Sequence, residues 1–239
     1  MSYQMIFKRY EMKYLLTQKQ KASILKVMDE YMKLDKYGRV SIRNIYFDTD
    51  TYRLVRRSIE RPTYKEKLRL RSYQQSTAED PVFVELKKKY QSVVYKRRLV
   101  LPQAQAIECL CSGTKLPLQS QIAEEINYFC AYYHKLSPSV FLSYDREAFY
   151  SLDGSDFRVT FDENILSRQK DMSFESGIYG TPLIDEGMSL MEIKTSGGIP
   201  LWMSNYLSKN NIFKISFSKY GTAYQKTIQY NFQGGLLHA

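Results

Sequence analysis

The chain has 239 residues, with 35 Lys and Arg against 25 Asp and Glu, a net charge of +10. Three cysteines without C-x-x-C spacing and only two histidines, His134 and His238, argue against a disulfide framework, a zinc knuckle, a His-rich metal centre and Ser-His-Asp or Cys-His catalysis. The cation excess favours a polyanionic partner, whether nucleic acid, anionic lipid or a phosphate-rich small molecule, without choosing among them.

In chain order, period-two alternation predicts a first strand over 5–15. Thr17 and Gln20 have capping-box spacing, and Ile24, Met28 and Met32 then recur at helical period. A strand follows at 40–48, and residues 50–60 read as a short helix stopped before Pro62. Strands at 64–74, 81–90 and 92–101 are separated by short turns, which implies antiparallel pairing. Pro102 opens a helix that runs to Gly113, and Ile122, Ile126, Phe129 and Tyr133 mark a longer one. Strands are expected at 140–150, 156–163 and 188–195, then a turn of helix near Trp202, a strand at 213–218 and a last helix over about 221–232. There is no repeat and no Pro-, Gly- or Ser-rich linker, so residues 1–239 read as one α+β domain. No run approaches the ~18 apolar residues of a membrane span, and the N-terminus lacks a signal-peptide core. The expected location is the cytoplasm.

Alternation also sorts the charges. In KEKLRLRSY, Lys65, Lys67, Arg69 and Arg71 share one strand face, opposite Leu68 and Leu70. Glu85, Lys87 and Lys89 fall together, as do Lys96 and Arg98, Tyr144 and Arg146, Arg158, Thr160 and Asp162, and Glu192 and Lys194. On a flat sheet in water these faces repel weakly, since charges beyond a Debye length of about 8 Å are screened. Curled into a closed barrel they would converge and require a polyanion. The pattern alone fits a barrel with a polar lumen and an open sheet with helices on one side equally well.

The motifs RYEMKYLL, IYFDT, KLRLRSY, FVELKKK, YKRR, YDREAF, FRVTFDENI, MEIK and FSKY, in this order between about residues 7 and 224, resemble the polyphosphate polymerase domain of the vacuolar transporter chaperone (VTC) type, in the triphosphate tunnel metalloenzymes. The resemblance implies a closed antiparallel β-barrel, a tunnel fold with a basic polar lumen and helices packed outside. It implies a metal-dependent phosphotransferase that moves the γ-phosphoryl group of ATP to a growing polyphosphate chain. Arg69, Arg71, Arg146, Arg158 and Lys219 would be its catalytic cations. Lys13, Arg56, Lys67, Lys87, Lys96, Arg98, Tyr144, Lys194 and Ser218 would bind phosphate, and Glu192 would carry Mn²⁺ or Mg²⁺. ATP and polyphosphate are the implied partners, with no nucleic acid expected. A membrane-embedded protein partner, through which the chain would associate with a membrane, is the family's further suggestion.

Two departures shape this reading. The hydrolase and cyclase branch opens with ExExK, whereas Arg9, Glu11 and Lys13 stand here, one carboxylate fewer, which favours the polymerase branch. A lysine usual three residues before the FSKY lysine is Ser216, and Lys214, on the same face if the segment is a strand, is its expected substitute. Three further expectations come from the residues. Glu85 with Lys87, and Glu192 with Lys194, can be ordinary same-face ion pairs. Asp162 should orient Arg158 or a loop rather than bind metal. Removing Arg69 and Arg71 together should relieve repulsion and leave the fold intact. The competing functions are a triphosphatase of the same fold and a non-catalytic polyphosphate- or RNA-binding module, the latter suggested only by FSKYGTAYQ.

Overall fold

The computed structural model describes residues 9–60, 62–91 and 93–228. Its strands are β1 (Tyr10–Thr17), β2 (Met32–Leu34), β3 (Val40–Asp48), β4 (Tyr64–Ser72), β5 (Pro81–Tyr90), β6 (Val93–Pro102), β7 (Ser137–Ser151), β8 (Arg158–Arg168), β9 (Thr181–Pro182) and β10 (Met188–Thr195). They form one antiparallel sheet in the order β1-β10-β8-β7-β3-β4-β5-β6, with β2 beside β7 and β9 beside β8. The helices are α1 (Gln18–Met28), α2 (Arg53–Ile59), α3 (Gln103–Ser112), α4 (Gln121–Tyr133), α5 (Leu201–Lys209) and α6 (Lys219–Ala223). A π-helical turn over Tyr224–Ile228 continues α6.

The start of α1 follows from its cap. Thr17 accepts a hydrogen bond from the Gln20 backbone N–H while the Gln20 side chain accepts from the Thr17 N–H, so two donors that the first turn leaves unpaired are satisfied together. Near Trp202 the structure has the full helix α5 rather than a single turn. Trp202 stacks on Tyr31 at 4.5 Å between centroids and meets Phe157 edge-on, so the indole anchors α5 to the sheet. Residues 213–218 are not a strand; among them only Ile215 bridges, to Lys13. The predicted first strand from 5 to 8, and the last helix beyond 228, lie outside the described residues.

The sheet is not closed into a barrel, which corrects the expected closed form. Between the edge strands β1 and β6 there is an isolated bridge, Arg9 with Val94, and no ladder among the described residues. The physical reason is that another segment uses the free edge of β1. The Ile215 N–H donates to the Lys13 carbonyl at 2.7 Å, and Lys13 Nζ donates to the Phe217 carbonyl at 2.8 Å. From this strap Ser218 reaches across to Lys67 of β4 at 2.8 Å. The sheet is nevertheless strongly curved, because Lys87 of β5 contacts Glu11 of β1 at 2.7 Å although the two strands lie near opposite ends of the sheet order.

Three apolar clusters hold the curve in place. Leu68, Leu70, Val82, Val84 and Leu86 pack with Ala106, Leu110, Ile126 and Phe129 of α3 and α4. Leu16, Val159, Phe161, Met191 and Ile193 pack with Ile24 and Met28 of α1 and Met203 and Leu207 of α5. These two clusters cover the face opposite the cations. The third joins Ile42, Tyr46, Leu142, Tyr144 and Leu190 to Val55 of α2 and Tyr220 and Ala223 of α6. It fills one end of the concave face with hydrocarbon, and the charged lining lies beyond it. Among the described residues no helix is long and apolar enough to cross a membrane.

Candidate functional site

The register sets the lining. Lys67, Lys87 and Lys96 are direct cross-strand neighbours on β4, β5 and β6. Like charges placed so destabilise a sheet unless something neutralises them. Lys87 finds Glu11, and Lys96 finds Glu85 at 2.6 Å. Lys67 makes no ion pair among the described residues and donates to the Ser218 hydroxyl. Burial, then Lys13, Lys87, Lys65 and Arg69 around it, hold Lys67 well below the ordinary lysine range.

Two carboxylates organise the remaining cations. Glu85 is 1% exposed and sits in register between Arg69 and Arg98. Its Oε2 accepts from Arg69 Nη2 at 2.7 Å and lies 3.7 Å from Arg71 Nε, and its Oε1 meets Arg98 Nη2 and Lys96 Nζ, each at 2.6 Å. Arg69 also donates to the Tyr46 hydroxyl, and Arg71 to Asn44 Oδ1 and the Tyr144 hydroxyl. Glu192, on β10, faces Lys13 at 3.4 Å, Lys219 at 3.3 Å, Arg146 at 3.5 Å and Lys194 at 3.1 Å. Beside it Asp162, fully buried, is held by both Arg146 Nε and Nη2 and by Lys219 Nζ at 2.5 Å.

These contacts revise several pairings. Glu85 binds the arginines of the neighbouring strands and Lys96 rather than Lys87. Asp162 orients Arg146 and Lys219, not Arg158. Arg158 stands at the rim, opposite Lys194 in the ladder and 3.4 Å from Asp35. Arg56 is exposed on α2, and no contact joins it to either carboxylate cluster. Lys214 and Ser216 are both exposed on the strap, which is not a strand, so the alternation invoked for exchanging one for the other does not apply there. Asn44, Tyr46 and Asp48 were missed, although period two places all three on the face of Ile42.

The aromatic residues of FSKYGTAYQ pack within or against the third apolar cluster. Tyr220 is 1% exposed, stacks on Tyr46 and donates to Asp48 Oδ2 at 2.7 Å. Asp48 in turn accepts from the backbone N–H groups of Thr49, Leu54 and Val55, which ties α2 and α6 to the end of β3.

The chain's own donor set does not fit a divalent metal centre. Hard cations need several free carboxylate or carbonyl oxygens, yet each Glu192 oxygen already faces two cationic nitrogens. Asp162 is committed to Arg146 and Lys219, Glu11 to Lys87, and no three His, Cys, Asp or Glu groups converge among the described residues. The assignment of Mn²⁺ or Mg²⁺ to Glu192 therefore has no support from the arrangement of the side chains.

Tyr144 is a further group of the lining, besides Lys67 and Lys96, whose titration is shifted. Burial pushes its phenol up, but Arg71, Arg146 and Lys219 outweigh that and bring it down to about 8. Below pH 8 the hydroxyl is a neutral donor beside the arginines; above it a phenolate competes with any bound anion. Affinity for inorganic tripolyphosphate is accordingly expected to fall as pH rises through 8, and Tyr144→Phe to flatten that limb. Equal slopes for the two proteins in titrations from pH 7 to 9 would refute this role.

The curved sheet gathers arginines and lysines from β1, β4, β5, β6, β7 and β10 on its concave face around a few buried carboxylates, an arrangement with the charge to neutralise a polyanion. Comparison narrows the class: the chain belongs to the VTC domain family, whose profile matches residues 8–228. The fold is shared with a Bacillus halodurans protein described as a "putative adenylate cyclase", at 14% identity and a TM-score of 0.56 over 90% of this chain and 96% of that one. A Vibrio parahaemolyticus protein given the same description is 12% identical, with a TM-score of 0.51 over 90% and 97%. No curated protein matches the sequence significantly. The chain is thus a VTC domain protein, and its fold is the one these two proteins share.

Proposed function

We propose that the protein is a phosphotransferase that extends polyphosphate with the γ-phosphoryl group of ATP. The observation that carries this reading is the Lys67, Lys87, Lys96 row between two carboxylates, each crowded by four cations. So much uncompensated positive charge on a concave wall is tolerable when a polyanion lies along it. Phosphoryl transfer asks little covalent chemistry of a protein; it needs aligned attacking and leaving oxygens and stabilised negative charge. Arginine supplies both, through paired N–H donors and a charge that persists at any working pH.

In this reading a terminal oxygen of the polyphosphate chain attacks the γ-phosphorus in line. The bond from that phosphorus to the β,γ-bridging oxygen breaks, and ADP leaves with the released charge. Arg69, Arg71, Arg146 and Lys219 neutralise the transferring group and the leaving oxygen. Lys13, Lys67, Lys87, Lys96, Arg98 and Lys194 hold the chain, with Tyr144 and Ser218 as neutral donors. Arg158 at the rim would meet the chain where it leaves the lining.

The test is to incubate the purified protein with ATP and Mn²⁺ and size the products on a gel. A ladder of long phosphate chains is expected, with ADP formed in step. Free phosphate alone would identify a triphosphatase, cyclic AMP a cyclase, and binding without turnover a carrier of polyphosphate.

A further inference from the structure

Glu85 is an unusual residue to find beneath an anion-binding wall. It lies on β5 between β4 and β6, so the ladder brings guanidinium groups onto it from both sides. Oε2 accepts from Arg69 Nε at 2.9 Å and Nη2 at 2.7 Å, and Oε1 from Arg98 Nε at 2.9 Å and Nη2 at 2.6 Å, two bidentate grips on one carboxylate. Lys96 adds a third contact at 2.6 Å. The carboxylate is buried, whereas the side chains of Lys96 and Arg98 keep 28% and 29% of their surface open. Lys96 and Arg98 thus present an accessible face while their counter-ion does not, and Arg69 and Arg71 lie deeper beside it. One negative charge does not settle four positive ones. Burial and the neighbouring Arg71, Arg98 and Arg69 hold Lys96 well below the lysine range in spite of its contact with Glu85.

We propose that Glu85 is a built-in counter-anion that competes with phosphate for Arg69, Arg71, Lys96 and Arg98, and so sets how tightly this end of the lining grips a phosphoryl chain. The proposal rests on the reading that the lining holds phosphate chains. A ligand bound at many cations at once is held by their combined effect and leaves slowly. Glu85 lowers the pull of one cluster while keeping its cations pre-arranged, a specificity-determining role that needs no contact with the reacting atoms.

The experiment is calorimetric titration with inorganic tripolyphosphate, without turnover, on the wild type, Glu85→Gln and Lys96→Met. Glu85→Gln is expected to bind about tenfold tighter, with a steeper loss of affinity as salt rises. Its melting temperature without ligand should be lower and its rise on adding tripolyphosphate larger. Lys96→Met should bind about tenfold more weakly. Affinity unchanged or weakened in Glu85→Gln would overturn the proposal and leave Glu85 as a scaffold for the arginines. Where Glu85→Gln does not fold, Glu85→Asp, which keeps the charge but shortens its reach, should still bind more tightly than the wild type, and equal affinity would overturn the proposal. A wild type that binds no tripolyphosphate would sink the phosphate reading itself, an outcome distinct from equal affinities in wild type and variant.

Discussion

Replacing Arg69 and Arg71 together by alanine is expected to abolish the proposed phosphate transfer, by about a hundredfold or more, and to lower the melting temperature by about 10 °C. From the sequence alone the opposite stability result is expected, because taking cations from a crowded wall relieves repulsion. The structure reverses the sign. Arg69 grips Glu85 through two nitrogens, Arg71 stands 3.7 Å from it, and Arg71 also occupies the Asn44 and Tyr144 side chains. Removing both strands a carboxylate that is 1% exposed with Lys96 and Arg98 as its remaining ion-pair partners. Breaking a buried ion pair from one side costs about 3 kcal/mol or more, and in a chain of this size each kcal/mol moves the midpoint by about 2–4 °C. Adding Glu85→Gln to the double variant removes the stranded charge, so the triple variant should regain most of the lost melting temperature while staying inactive. Calorimetric scans of the three proteins beside product gels check both halves. An unchanged midpoint in the double variant would show that Arg69 and Arg71 do not hold Glu85 in solution.

This case shows where the sequence is legible and where it stops. Period two put Lys67, Arg69 and Arg71 on one face and the leucines on the other, and the packing of Leu68 and Leu70 against α3 and α4 follows from it. Strand existence was readable for the same reason, and β3 and β5 keep their predicted bounds, 40–48 and 81–90. Alternation states the face and never the partner. Glu85 shares a face with Lys87 two residues along, yet it meets arginines one strand away on either side, because direct cross-strand neighbours lie closer than the next same-face residue. Closure was not readable either. Whether β1 pairs with β6 depends on what claims the free edge of β1, and that is the strap from Phe213 to Ser218, whose alternation mimics a strand while its hydrogen bonds go mainly to Lys13 and Lys67. The third cluster was hidden because Ile42, Leu142 and Leu190 share their strand faces with Asn44, Arg146 and Glu192, and their burial depends on α2 and α6 packing over them.

Lys219→Met is expected to reduce the proposed ATP-dependent transfer by about a hundredfold or more, at a stability cost smaller than that of the arginine pair. Lys219 is the first residue of α6, and its place is fixed from both sides. The Ser218 hydroxyl accepts from the Gly221 N–H at 3.1 Å, and the Tyr220 hydroxyl reaches Asp48 and Ser139, each at 2.7 Å. So held, Lys219 bridges Asp162 of β8 and Glu192 of β10 and lies 4.5 Å from the centre of the Tyr144 ring. The cost is moderate because Asp162 keeps both nitrogens of Arg146, and Glu192 keeps Lys13, Arg146 and Lys194.

The pH dependence separates this account from a general packing defect. Burial raises the Asp162 and Glu192 carboxyls, but the surrounding cations, Lys219 among them, outweigh it and hold both below their ordinary values. Depressed carboxyls contribute stability above their unfolded pKa of about 4, and lose it as pH falls through the lower folded values. The difference in melting temperature between wild type and Lys219→Met should therefore be widest near neutral pH and narrow on acidification below about pH 4. Lys219→Arg, which keeps the charge, should retain most of the stability and show the wild-type acid profile. A gap that stays constant with pH would mean that Lys219 acts through its hydrocarbon chain. Full turnover in Lys219→Met would remove the bridge between β8 and β10 from the proposed phosphate-transfer site altogether.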